Sequence, residues 1–360
     1  MWPYWLLFLA PAYWAISRLR LKPQAALTAQ HERWPDMWRI VFVILVLMIG
    51  LRHEVGGDWD SYLEMLDTYQ DISSREFRFQ DPAFILFNWL AVETGLGIYL
   101  INLLSALFFS WGLLVFCRLQ PRPWLALVVA VPYLITVVAM GYTRQGAAIG
   151  IAMVAMTALA HGSTLRFLLW IALAATFHKS AVILIPLAVL ANSQHRIFTL
   201  LWVGLAGFTL FALILQEALS FLMGGYIEGK MQSSGAAIRI AMNAVPAALF
   251  LVFRNRFELS PVQRSFWTWM SWSALLLVLV LKISPSSTAV DRVALYWIPL
   301  QLFVLSRLPN ALGKRDSKNA AWVFAVVGYS AIVHFIWLFY ADTAFAWLPY
   351  QFYPWVWLWR

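Results

Sequence analysis

Long apolar runs broken by short polar stretches set the pattern of the chain. Runs at 2–17, 37–51, 97–117, 124–140, 144–160, 166–177, 180–193, 198–216, 237–253, 266–283, 292–306 and 320–340 read as helices, and 83–93 reads as a short membrane-associated helix. A bilayer is crossed by a helix of roughly 17–25 apolar residues. Lipid offers the backbone no hydrogen bonds, so only helices or a closed barrel can span it, and the short alternating strands of a barrel are absent from the pattern. The expectation is an all-α fold: a polytopic transmembrane helical bundle of about 12 crossings, forming a single transmembrane domain over 1–360 with an acidic external loop at 52–82. The first run, Trp2 to Ile16, lacks a basic leader and a small-residue cleavage site, and reads as a retained helix.

Composition supports this picture, since 62% of residues are hydrophobic and only 12% charged, too little polar surface for a soluble domain of 360 residues. The net charge of +9 does not indicate nucleic acid, because Lys and Arg fall in short clusters between apolar runs, as orientation signals do. Segment 18–39 carries Arg18, Arg20, Lys22, Arg33 and Arg39 against Glu32 and Asp36, a net of +3, and is placed in the cytoplasm. Loop 52–82 carries Arg52, Arg75 and Arg78 against eight carboxylates, a net of −5, and is placed outside. Alternation then puts Arg118/Arg122, Arg166, Arg196, Arg254/Arg256/Arg264 and Arg307/Lys314/Arg315/Lys318 on the cytoplasmic face. Segment 165–196 reads either as one crossing or as two short helices turning at His178-Lys179. Only the turn keeps the later basic clusters inside. Both termini are then external, and 347–360 reads as an aromatic interfacial tail. Cys117, the single cysteine, excludes an internal disulfide and reads as packing.

This topology leaves Arg52, His53, Asp58, Asp60, Arg144, His178, Lys179, Arg239, Lys282, Asp291 and Arg292 near the outer helix ends. Ionisable groups at membrane depth are costly and usually face a cavity or a partner. Several arginines on one face, unmatched by neighbouring carboxylates in the sequence, point to an anionic ligand, because the guanidinium fork fits phosphate oxygens. Arg144 opens a helix, where a cation opposes the dipole and a bound anion would relieve the conflict; Arg239 repeats that logic. Each residue also has a plainer reading: Arg52 as an interface anchor, Lys179 as a snorkelling side chain beside a hydrogen-bonded His178, and Asp291-Arg292 as a local pair. Asp67, Asp71, Glu76 and Asp81 read as a solvated face. No zinc, iron or copper ligand set and no phosphate loop is present, and the pair Asp58/Asp60 is too weak a signal for a divalent cation, so neither metal nor cofactor is assigned.

Taken in order, Arg52-x-x-Val55-Gly56-x-Asp58-x-x-x-Tyr62, Arg144-Gln145, Phe177-His178-Lys179-Ser180, Arg292-x-x-x-Tyr296 and Pro349-Tyr350 resemble the EpsG-like family of Wzy-type polysaccharide polymerases over residues 37–353. The resemblance implies a bacterial inner-membrane enzyme that joins oligosaccharide repeat units carried on undecaprenyl diphosphate, on the periplasmic side, into O-antigen, capsule or exopolysaccharide. It also implies a fold related to C-type membrane glycosyltransferases with a lipid-facing groove, and a chain-length regulator as a partner. By motif match it implies functional roles for Arg52, Asp58, Arg144, His178 and Arg292, and less directly for Tyr62, Gln145, Lys179 and Tyr296. The sequence departs from the family pattern at Trp59-Asp60, where a second carboxylate follows Asp58.

Such a reaction needs fixed positive charge for the departing diphosphate and a base for the acceptor hydroxyl. Arg144 and Arg292, helped by Arg52 or Arg239, are the expected diphosphate ligands, and Asp58, Asp60 or His178 the expected base. The competing readings are a lipid-linked oligosaccharide flippase, whose charges would line a path to both faces, and an integral membrane acyltransferase acting on glycans.

Overall fold

The computed structural model describes residues 1–19, 34–71, 81–192, 233, 235–314 and 317–358. The expected run 198–216 and the charged residues Arg20, Lys22, Glu32, Arg33, Arg75, Glu76, Arg78, Arg196 and Arg315 lie outside the described residues. Among the described residues every regular element is helical: α1 Trp2–Ser17, α2 Asp36–Gly50, α3 Trp59–Asp71, α4 Pro82–Thr94, α5 Gly97–Arg118, α6 Pro123–Ala130, α7 Thr143–Ala160, α8 Thr164–Phe177, α9 Ile185–Asn192, α10 Ala236–Phe253, α11 Pro261–Ile283, α12 Ser287–Ala294, α13 Ile298–Leu312, α14 Ala320–Tyr340 and α15 Tyr353–Leu358.

Local chemistry places many of the starts. Prolines occupy the first turn of α4, α6, α11 and α13, where their missing N–H has no helical partner to lose. Ser260 and Gln263 form a capping box on α11, and Ser163 and Ser286 cap α8 and α12. Past Pro132, which cannot donate to the carbonyl four residues back, α6 continues as a π-helix over Val131–Ala139, where the Thr136 hydroxyl donates to the Val131 carbonyl at 2.8 Å.

Among the described residues, five helices are long and apolar enough to cross a membrane: Gly97–Arg118, Ala236–Arg256, Pro261–Ile283, Ser287–Leu312 and Ala320–Tyr340. The surface is that of a membrane protein. Leu6, Leu9 and Tyr13 on α1, Ile40, Val43, Ile44 and Leu47 on α2, and Leu165, Leu169 and Leu173 on α8 are exposed at helical spacing, apolar stripes that water would not tolerate. At the centre stands α7, apolar and buried nearly all round, packed on α5 and α8. Its contact with α5 depends on glycine: a Cβ on Gly112 would stand 1.9 Å from the Gly150 carbonyl oxygen, and one on Gly150 would stand 2.5 Å from Cα of Phe109.

Two differences from the sequence reading, and one agreement with it at the turn of His178, bear on the site. The stretch 52–82 is not simply a loop, for Trp59–Asp71 forms α3. The chain reverses at His178: residues of α8 and α9 approach within 8 Å, although a continuous helix would separate them by at least about 12 Å. The C-terminal segment is not an interfacial tail throughout, because Trp347 is only 2% exposed and its indole N–H donates to the Thr136 carbonyl at 2.8 Å.

Helix ends sort into two groups. One end gathers Arg18, Arg118, Arg122, Arg307 and Lys318. There Arg122 donates to Asn310, to the Leu19 carbonyl and to the Lys318 carbonyl, Arg307 to Gln120, and Arg118 lies over Trp34. The other end holds the site.

Candidate functional site

The site begins where α2 stops. Arg52 turns inward and is 1% exposed, with its guanidinium donating to the carbonyls of Val55 (3.0 Å) and Ile49 (2.5 Å), to Asn102 Oδ1 (3.0 Å) and to Thr143 Oγ1 (2.8 Å). It is a buried brace between the start of the site loop, α5 and the start of α7, which replaces the expectation of an interface anchor or a diphosphate ligand. The loop it opens is held from outside by the C-terminal segment. The backbone N–H groups of His53 and Gly56 donate to the carbonyls of Gln351 (3.0 Å) and Ala346 (2.8 Å), and that of Tyr353 donates back to Leu51 (2.8 Å). Gly56 is required here twice over, by a φ of +113° and by the Met140 carbonyl, 2.3 Å from where a Cβ would stand.

This loop delivers Asp58 to the mouth of α3. Its Oδ1 meets Nη2 of Arg292 on α12 at 3.5 Å, with 33% and 31% of the two side chains exposed. Asp60, two residues on, is exposed, so only one of the two aspartates enters the site. The Arg292 guanidinium lies 3.7 Å over the ring of Tyr142, and its backbone carbonyl accepts from Gln145 Nε2 at 2.6 Å.

On the facing side, Arg144 opens α7 as expected, and its N–H donates to the buried Tyr62 hydroxyl of α3 at 3.4 Å. The anion that relieves its conflict with the helix dipole is one the sequence reading missed. Asp81, at the start of α4, accepts from Arg144 Nη1 at 3.2 Å and from the Lys179 backbone N–H at 3.2 Å. It is buried, not part of a solvated face. An Asp-Pro step opening an apolar helix is the one sequence signal that marks it.

The turn after α8 brings in His178, whose Nδ1 lies 2.5 Å from Ser180 Oγ, and Ser180 in turn donates to the buried Tyr296 hydroxyl at 3.1 Å. Lys179 itself is exposed. Burial first, then the charges of Arg144 and Arg292, hold His178 well below its ordinary pKa, so its ring is neutral and weakly basic. Burial raises the Asp58 carboxyl against the opposing pull of Arg292 and Arg144, and the same two-way contest leaves Asp81 raised.

Arg239 on α10 pairs with Asp291 through Nε–Oδ1 at 2.8 Å and Nη2–Oδ2 at 2.7 Å, joined by the Ser233 hydroxyl. Asp291 and Arg292 are therefore not a local pair, since each binds a partner from another segment. Three of the arginines expected to be unmatched have a carboxylate, Arg144 with Asp81, Arg292 with Asp58 and Arg239 with Asp291, while Arg52 is met by neutral acceptors. Lys282 is exposed, and His53 belongs to an aromatic cluster with Trp59, Tyr99 and Tyr353. Among the described residues no group of three or more His, Cys, Asp and Glu side chains is arranged to hold a metal ion.

The outcome is a cluster of partly exposed side chains in which Arg292 meets Asp58, Arg144 meets Asp81 and His178 joins the same turn as Lys179, the two arginines being linked through Gln145, whose side chain donates to the Arg292 carbonyl. Such an arrangement can bind an oxyanion and accept a proton within the same space. No match to the chain is found among curated proteins or among solved structures. Residues 37–352, nearly the whole chain and all of the site, match the EpsG family. The chain thus belongs to the EpsG family, a family of Wzy-like polysaccharide polymerases.

Proposed function

We propose that the protein is a membrane glycosyltransferase that polymerises undecaprenyl-diphosphate-linked repeat units into O-antigen, capsule or exopolysaccharide on the periplasmic face of the bacterial inner membrane. The observation that carries the reading is the closeness of two arginines that are each about a third exposed: Arg292 meets Asp58 at 3.5 Å and its carbonyl takes the side chain of Gln145, the residue after Arg144. The two guanidinium groups bind the diphosphate of the donor glycan and stabilise the charge that develops as it leaves. Asp58 takes the proton of the acceptor hydroxyl. It suits this role better than His178, which two neighbouring cations and burial keep from gaining a proton. His178, Ser180 and Tyr296 form a linked chain beside the arginines, Gln145 holds the backbone of Arg292, and Tyr62 steadies the start of α7. Arg52, Arg239 and Asp81 act through other residues, as positioning groups.

In this reading the helices make about twelve crossings, with the site end outside and the basic end in the cytoplasm, and a chain-length regulator is the expected partner. The basic end supports an enzyme over a flippase, because Arg122 and Arg307 are taken up by Gln120, Asn310 and backbone carbonyls and do not continue a charged path from the site. The test replaces Arg144 or Arg292 by Ala in cells. Long polysaccharide should disappear on gels while single lipid-linked repeat units and the protein level persist, and normal chain lengths in both variants would rule the reading out.

A further inference from the structure

The three arginine–carboxylate pairs around the site differ in kind. Arg239 and Asp291 join through two nitrogens and two oxygens at 2.8 and 2.7 Å, and Asp291 is buried. Asp81 is also buried and has two partners from different elements, the guanidinium of Arg144 and the backbone N–H of Lys179. Asp58 meets Arg292 at 3.5 Å, with about a third of each side chain open. That distance is the outer limit of a hydrogen bond, and open pairs are the weakest of ion pairs. A diphosphate presents more charge and more acceptor oxygens to the same guanidinium than one carboxylate oxygen does.

We propose that Asp58 is a displaceable stand-in for the donor: its carboxylate occupies Arg292 in the resting site, and the donor's diphosphate takes that guanidinium and releases Asp58 as the base. The inference rests on the polymerase reading and adds an order of events to it. Stacking on Tyr142 keeps the Arg292 guanidinium plane in place while its edge exchanges one oxyanion for another. Until the donor arrives, the base is engaged and cannot activate a hydroxyl or water. Once released, Asp58 accepts the proton of the acceptor hydroxyl as that oxygen bonds to the anomeric carbon. The bond from that carbon to the phosphate oxygen breaks, and its electron pair leaves on the lipid diphosphate. The proton on Asp58 passes to solvent as the lipid diphosphate departs, and the carboxylate returns to Arg292. Asp81 and Asp291 stay with their arginines throughout.

The test compares full-length wild type, Asp58→Asn and Asp81→Asn in lipid nanodiscs, titrated with undecaprenyl diphosphate and separately with inorganic diphosphate. Removing a competitor raises the fraction of Arg292 ready for ligand, so Asp58→Asn should bind both probes about fivefold or more tightly than wild type while losing transfer. Asp58→Ala should show the same gain. Asp81→Asn should bind no more tightly than wild type, because its loss unseats Arg144. Unchanged or weaker binding in both Asp58 variants, with wild type binding normally, overturns the displacement alone. Equal tightening in Asp81→Asn would mean a bulk charge effect and would overturn it too. Absence of binding in every protein overturns the diphosphate reading and this inference with it.

Discussion

Arg52 and Arg144 carry the same charge and play opposite parts, and the difference lies in what surrounds each guanidinium. Arg52 satisfies four buried acceptors from four residues, a geometry that the planar fork can reach and a lysine ammonium cannot. Arg52→Lys keeps the charge yet has one donor too few for these acceptors, and each stranded acceptor costs roughly 1–3 kcal/mol. The expected result is a lower melting temperature in detergent and less protein in the membrane. Arg144→Lys touches a half-open side chain and should leave the melting temperature near that of wild type while long polymer is lost; a matching thermal loss in both would contradict the division. In the sequence the two arginines look alike, for each stands at an end of an apolar run, and nothing local says which turns inward. Asp58 and Asp60 are equally open as candidates there. Residues two apart at a helix start point to different sides, so once α3 begins at Trp59 only one of them can face Arg292. Asp81 closes an acidic stretch and so resembles wet surface, and only the fold shows that the chain returns there to the site.

Among elements, the apolar helices are legible because each run repeats the same simple demand, an apolar surface of helical length. The helix α3 is harder to see because its composition is acidic, yet Trp59, Tyr62 and Leu66 recur at helical spacing and are the residues it buries. The small residues of α7 mark a packing face, and Gly112 and Gly150 give that face its partner on α5. Gly150→Ala inserts a methyl 2.5 Å from Cα of Phe109 and 2.8 Å from the Phe108 carbonyl oxygen, a backbone contact with no side chain to yield. Overpacking of this kind costs about 1–3 kcal/mol. Gly328 on α14 has nothing within 4 Å of where a Cβ would stand, so Gly328→Ala should melt at or above wild type. Thermal unfolding of the two purified variants checks the contrast, and comparable losses in both would mean that the α5–α7 contact is looser than these distances state.

At the scale of the whole molecule, side-chain contacts gather basic residues from distant parts of the sequence at one end of the described helices. Trp34, Arg118, Arg122, Arg307 and Lys318 are joined by side-chain contacts at one end, and Phe257 stacks on Phe303, one turn from Arg307, which brings the Arg254–Arg256 segment to that same end. At the other end Tyr4, Met48 and Thr136 all bond to Trp347 or Tyr350, so the C-terminal segment fastens the ends of three helices beside the site loop. Helix α10 connects the two groups, from Arg239 beside Asp291 to Arg254, a rise of about 22 Å. Orientation can therefore be read by thiol labelling with little background, since the single cysteine, Cys117, is buried. Glu54→Cys places a thiol where the native side chain is 59% exposed at the site end, and Arg256→Cys places one on the exposed turn at the basic end. A membrane-impermeant maleimide applied to spheroplasts should label Glu54→Cys at once and Arg256→Cys only after the membrane is opened. Labelling of Arg256→Cys in intact spheroplasts would set the alternation aside, and with it the external placement of Arg144, Arg292 and Asp58.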